Sequence, residues 1–114
     1  MTIDRLLQQL DNNPNDITFS VVMQVIDDHY EFTETAFSNG EQKNAAGENS
    51  GSCKILSFAI LHNLSKEKTL PLFGQYYRDV LNSPEASDHQ NIRQFMLHGF
   101  AGVTLSGNAL TEKR

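Results

Sequence analysis

The chain has 114 residues, 39% hydrophobic and 20% charged, with a net charge of −5 and a single cysteine. That length gives one domain, residues 1–114, with room for one core and no second catalytic domain. The composition is that of a soluble globular protein. An internal disulfide is excluded by the single thiol, in keeping with a reducing cytosol. The nine Lys and Arg form no basic stripe, so nucleic acid is not an expected partner. A membrane is not one either: the longest apolar run, residues 55–61, is far short of the roughly 20 residues a span needs. The N-terminus has no basic region followed by an apolar stretch, so no general secretory signal is expected.

Ile3, Leu6, Leu7 and Leu10 keep helical spacing behind Thr2, a candidate N-cap. The helix ends near Asn12, and Asn13-Pro14-Asn15-Asp16 reads as a turn. A second helical face follows in Phe19, Val22, Val25, Ile26 and Tyr30. Alternation from Tyr30 to Phe37 predicts a short strand, and Asn39-Gly40 a turn. Residues 40–51, rich in Gly and Asn and poor in large apolar side chains, read as a loop.

The next helix, Ser52–Leu64, is apolar on most of its circumference and is expected to be the central one. Ser65 begins a polar break. Leu70, Phe73, Tyr77, Val80 and Leu81 then form one helical face, with Pro71 in its first turn if Thr69 caps it. Residues 82–87 form a loop, after which Asp88 caps a helix over His89–His98 that Gly99 ends. Gly102–Leu105 alternates like a strand that could pair with Tyr30–Phe37, and the tail beyond Ala109 reads as loose. The expected architecture is mostly α: a compact bundle of four or five helices around a central helix, with a small two-stranded β element.

Four stretches, YEFTETAFSNG, NAAGENSGSCKILSFAIL, LFGQYYRDVL and SDHQNIRQFMLHGF, resemble in order and spacing the HopJ family of bacterial type III effectors. The likeness runs from about Tyr30 to Leu105. The family pattern has proline at Glu34, tryptophan at Phe100 and glycine at Ala86, so the chain departs from it at those three turns. The resemblance implies a small bacterial protein, cytoplasmic or delivered into a host by a type III system, with no activity established for the family as a whole.

Three local features could carry chemistry. Gly47, Gly51 and Lys54 ahead of a helix suggest a phosphate loop, but the spacing departs from G-x-x-x-x-G-K-[ST]. The competing reading has Asn44 and Asn49 tying down the loop and Ser52 capping the helix. Cys53 lies where a helix dipole would favour a thiolate, and His62, His89 and His98 are available bases. Its place in the stripe with Leu56 and Ile60 favours buried packing instead. The cluster Asp88, His89, Asn91 and Arg93 could form a polar pocket in which His89 moves a proton and Arg93 holds an anion. The alternative is a helix cap at Asp88 with Arg93 and Arg78 paired to carboxylates such as Asp79 or Asp88. The four histidines lack the spacing of a metal site, and no metal or other cofactor is expected.

The expected function is therefore a non-enzymatic interaction or small-ligand, anion-binding domain whose partner is a protein or a small anion. Its candidate binding residues are Asn39, Asn44, Asn49, Ser52, Lys54, Arg78, Asp88, His89, Asn91 and Arg93. The rival is a small enzyme using His89 with Cys53 or Arg93.

Overall fold

A computed structural model describes residues 2–113. The first helix, α1 (Ile3–Asn12), begins where expected: the Thr2 hydroxyl accepts from the Arg5 amide at 3.2 Å. Leu6 and Leu10 are its buried stripe. A 3-10 turn over Pro14–Asp16 follows, then α2 (Phe19–His29), which buries Val22, Val25 and Ile26.

The single strand expected over residues 30–37 is two strands in different sheets. Strand β1 (Tyr30–Phe32) pairs antiparallel with the C-terminal β5 (Leu110–Glu112), Phe32 opposite Leu110. The tail is thus fixed in a sheet, because Ala109 and Leu110 have apolar side chains to bury. Strand β2 (Phe37–Asn39) is the centre of a three-stranded sheet between β3 (Gln42–Asn44) and β4 (Val103–Leu105). Phe37 stands opposite both Asn44 and Leu105. The Asn39-Gly40 turn signal marks a tight hairpin, with Gly40 at φ +59°, and residues 42–44 of the expected loop are its return strand. Their polar character hid them: Asn44 is buried through hydrogen bonds, not apolar contact.

Helix α3 (Ser50–Leu61) is central, with Cys53, Ile55, Leu56, Ser57, Phe58 and Ala59 all buried. It begins two residues earlier than expected and ends before Leu64. Ile60, counted in its inner stripe, is 45% exposed. At its C-terminus the Tyr30 hydroxyl lies 2.8 Å from His62 Nε2. Burial pushes the His62 pKa below its ordinary value, while Asp4 and Glu112 pull the other way. A histidine depressed in the folded state stabilises fully above the unfolded pKa near 6.5 and loses that contribution as pH falls through the folded one. His62→Gln is therefore expected to flatten the decline in urea midpoint between about pH 7 and pH 5; an unchanged decline would contradict the assignment.

A short helix, α4 (Lys66–Thr69), is capped by Ser65, whose hydroxyl accepts from the Lys68 amide at 3.2 Å. The helix expected through Leu81 is interrupted. Leu70–Phe73 form a 3-10 turn without a Thr69 side-chain cap, Gly74 breaks it at φ +62° and ψ −133°, and α5 (Gln75–Asn82) starts afresh. Leu81 points outward, 52% exposed. Helix α6 (Gln90–His98) buries Ile92 and Phe95 and ends at Gly99, φ +60°. The outcome is a mostly α protein, with six α-helices and two small sheets among the described residues. Among the described residues no helix is long and apolar enough to cross a membrane.

Candidate functional site

The first turns of α3 and α6 face one cavity of about 430 Å³. Asn49, Gly51 and Ser52 of the α3 start form one wall, and His89, Gln90, Asn91 and Ile92 of the α6 start another. Phe19, Phe73, Tyr76 and Gln42 complete it. The residues preceding both helices adopt a left-handed conformation, Asn49 at φ +50° and His89 at φ +52°, a region that Asn and His enter more readily than most residues.

Neither helix start carries a side-chain cap. This corrects two expectations. Ser52 does not cap α3 but sits in its first turn, facing the cavity, because the chain becomes helical at Ser50. Asp88 does not cap α6: the helix starts after His89, and the Asp88 carboxylate accepts from Arg93 Nη2 at 2.9 Å. The Arg93 side chain holds the Asp88 carboxyl below the usual carboxylate range. The uncapped first-turn N–H groups of an α-helix lack intrahelical acceptors and carry its positive dipole end.

An asparagine network positions the two helix starts. Asn39 Nδ2 donates to the Asn91 carbonyl at 2.7 Å and to Asn91 Oδ1 at 3.2 Å. Asn44 Nδ2 also reaches Asn91 Oδ1 at 3.2 Å, while Asn44 Oδ1 accepts from Asn91 Nδ2 at 3.0 Å and Asn49 Nδ2 at 2.7 Å. The β2–β3 hairpin is thereby tied to both helices. Asn39 Oδ1, fully buried, finds no donor among the described residues, a cost of about 1–3 kcal/mol that the rest of the network offsets. Asn44→Ala would strip acceptors from both Asn49 and Asn91, so a loss of about 2 kcal/mol is expected in urea denaturation at unchanged m-value. A loss below about 0.5 kcal/mol would show the network to be dispensable.

The ten nominated residues divide cleanly. Asn49, Ser52, His89 and Asn91 line the cavity, with Asn39 and Asn44 behind it. The four charged ones do not line it. Lys54 Nζ pairs with Asp27 at 2.8 Å and lies 5.0 Å from the Phe32 ring centroid. Arg78 donates to the Ile17 carbonyl at 3.1 Å, in place of the expected carboxylate. Arg93 folds back on its own loop, meeting the carbonyls of Asp88 at 2.6 Å, Pro84 at 3.1 Å and Ser83 at 2.9 Å. A guanidinium's several donors suit such clustered carbonyls, which the local sequence did not reveal.

Cys53 is 1% exposed and outside the cavity lining, its thiol 3.8 Å from the Thr35 carbonyl. Burial pushes its pKa up against a smaller opposing influence from Ser57, the reverse of what a nucleophilic thiolate needs. No group of three or more metal-ligating side chains occurs among the described residues. Sequence reasoning missed Phe19, Gln42, Phe73, Tyr76, Gln90 and Ile92 as cavity residues, and placed Gly51 only in the phosphate-loop alternative. The doublet Tyr76-Tyr77 held the clearest signal, since Tyr77 packs against the core and leaves Tyr76 facing outward at 38% exposure.

No curated protein matches the sequence. A solved crystal structure, described as that of the unknown function protein VPA0580, superposes with a TM-score of 0.96 at 49% identity, covering 99% of this chain and 95% of that one. The sequence also matches the family model described as HopJ type III effector protein over residues 3–110. A match of that extent, together with so near a structural relative, places the chain in the HopJ type III effector protein family.

Proposed function

We propose that this HopJ-family chain is a non-enzymatic binding domain that takes a small anion in the cavity between α3 and α6. The observation that carries the reading is the convergence of two uncapped helix N-termini on one cavity. Each such end presents unpaired N–H donors and about half a positive charge. The cavity volume falls within the roughly 300–1,000 Å³ range of small-molecule sites. Separation of Cys53 from the cavity and diversion of Arg93 to its own loop weigh against the nucleophile and anion-clamp roles of the rival enzyme. The family description suggests a protein made in the bacterial cytoplasm and delivered by a type III system where one is present.

The test is a thermal-shift screen of small carboxylates and phosphate against the wild type and Ser52→Asp. Ligand at 100 times its Kd stabilises by about 2.7 kcal/mol. The variant places a carboxylate at the third helical position, where it satisfies the dipole internally. A ligand-dependent rise in the wild type that Ser52→Asp abolishes, while remaining folded, is the expected result. A rise of equal size in both, or none in either, contradicts the reading.

A further inference from the structure

Aromatic rings supply much of the cavity wall, and they come from separate parts of the chain. Phe19 begins α2, Phe73 ends the 3-10 turn before Gly74, Tyr76 lies in the first turn of α5, and His89 precedes α6. Tyr76 is already held between two neighbours. Its ring meets Phe19 edge-to-face at 5.1 Å and lies tilted over His89 at 5.4 Å. Yet Tyr76 is 38% exposed, so part of a positioned ring is left uncovered at the cavity. Gly51 makes room for this wall: a Cβ there would fall 2.5 Å from Phe19 Cζ. A ring fixed before binding loses little freedom when a second ring stacks on it.

The charge of the lining limits the ligand's charge. Among the described residues the cavity has no Lys or Arg in its lining, and two helix ends at about half a charge each sum to roughly one positive charge. The Asp88 carboxylate, 3.7 Å from His89 Nε2, is paired with Arg93 at 2.9 Å, so neither adds a net charge beside the site and the helix ends set its limit.

Resting on the anion-site reading above, we infer that the ligand is a planar monoanion: an aromatic carboxylate whose ring lies against Tyr76 and His89 and whose carboxylate meets the starts of α3 and α6. Offset or edge contacts between rings favour a planar aromatic guest over a saturated ring of the same charge. This selectivity is separable from anion binding itself.

The experiment titrates the full chain with benzoate, cyclohexanecarboxylate and inorganic phosphate, reading Kd by NMR. Benzoate is expected to bind roughly 2- to 10-fold tighter than cyclohexanecarboxylate, the equivalent of one aromatic pair, and tighter than phosphate. Tyr76→Leu should bring the ratio of the two carboxylates to about one, with the saturated ligand bound as before, whereas Tyr76→Phe should keep the preference. Equal binding of the two carboxylates to the wild type, survival of the preference in Tyr76→Leu, or tighter binding of phosphate overturns this inference and leaves the anion site standing. Binding of none of the three overturns both.

Discussion

Phe58→Ala is expected to lower the free energy of unfolding by about 3–5 kcal/mol. Phe58 is 0% exposed in the middle of the central helix, where its ring meets Tyr30 edge-on at 6.3 Å and His62 at 4.4 Å. Truncation removes the transfer free energy of the ring and leaves a cavity that the rigid surroundings close only in part. Against a typical total of about 5–15 kcal/mol, that loss brings the protein close to unfolding at ambient temperature. Urea denaturation measures it, with Leu97→Ala, at 73% exposure, as a control expected to shift stability by less than about 0.5 kcal/mol. A small loss at Phe58 would mean that α3 is not the element around which the others pack.

Gly74→Ala should be comparably severe, for a different reason. The backbone at φ +62° and ψ −133° is a conformation that only glycine adopts without strain, and forcing a side chain into it costs about 1–3 kcal/mol. Steric overlap adds to this, since a Cβ would stand 2.4 Å from the Phe19 backbone nitrogen and 2.8 Å from the Thr18 carbonyl carbon. Relief would require the start of α2 to move away from the start of α5, pulling apart the 3.0 Å bond from the Phe19 amide to Gln75 Oε1. The combined loss is about 3–5 kcal/mol, again by urea denaturation. Because Phe19 and Tyr76 flank this contact, a folded variant should also bind ligand more weakly. Wild-type stability in Gly74→Ala would show that the chain can relax there without cost.

Periodicity disclosed the helices well, because burial of Leu6, Val22, Ile55 or Phe95 leaves a 3.6-residue imprint whatever the partner. It failed where structure depends on distant residues. Strand β3 is held by hydrogen bonds that Asn49 and Asn91 donate to the Asn44 side chain, which no local pattern records, and β5 exists because β1 offers a free edge. Gly74 weakens a helical pattern in sequence, yet only the approach of Phe19 explains why the helix must break there. The site shows the same division. Asn49, Ser52, His89 and Asn91 were legible as polar residues at helix starts, and the meeting of those starts was not. Lys54, Arg78 and Arg93 carried the charge that suggested anion binding, but each is engaged elsewhere, so the proposed anion site rests on backbone dipoles and amides instead.

The most direct measurement is an amide-resolved NMR titration of the full chain with benzoate at neutral pH. Saturable shifts concentrated at the N–H groups of Gly51, Ser52, Gln90 and Asn91 are expected, with Cys53 and the β1–β5 sheet little affected. Shifts confined to Lys54, Arg78 and Arg93, or a spectrum that does not respond at all, would contradict a binding cavity built from two helix ends.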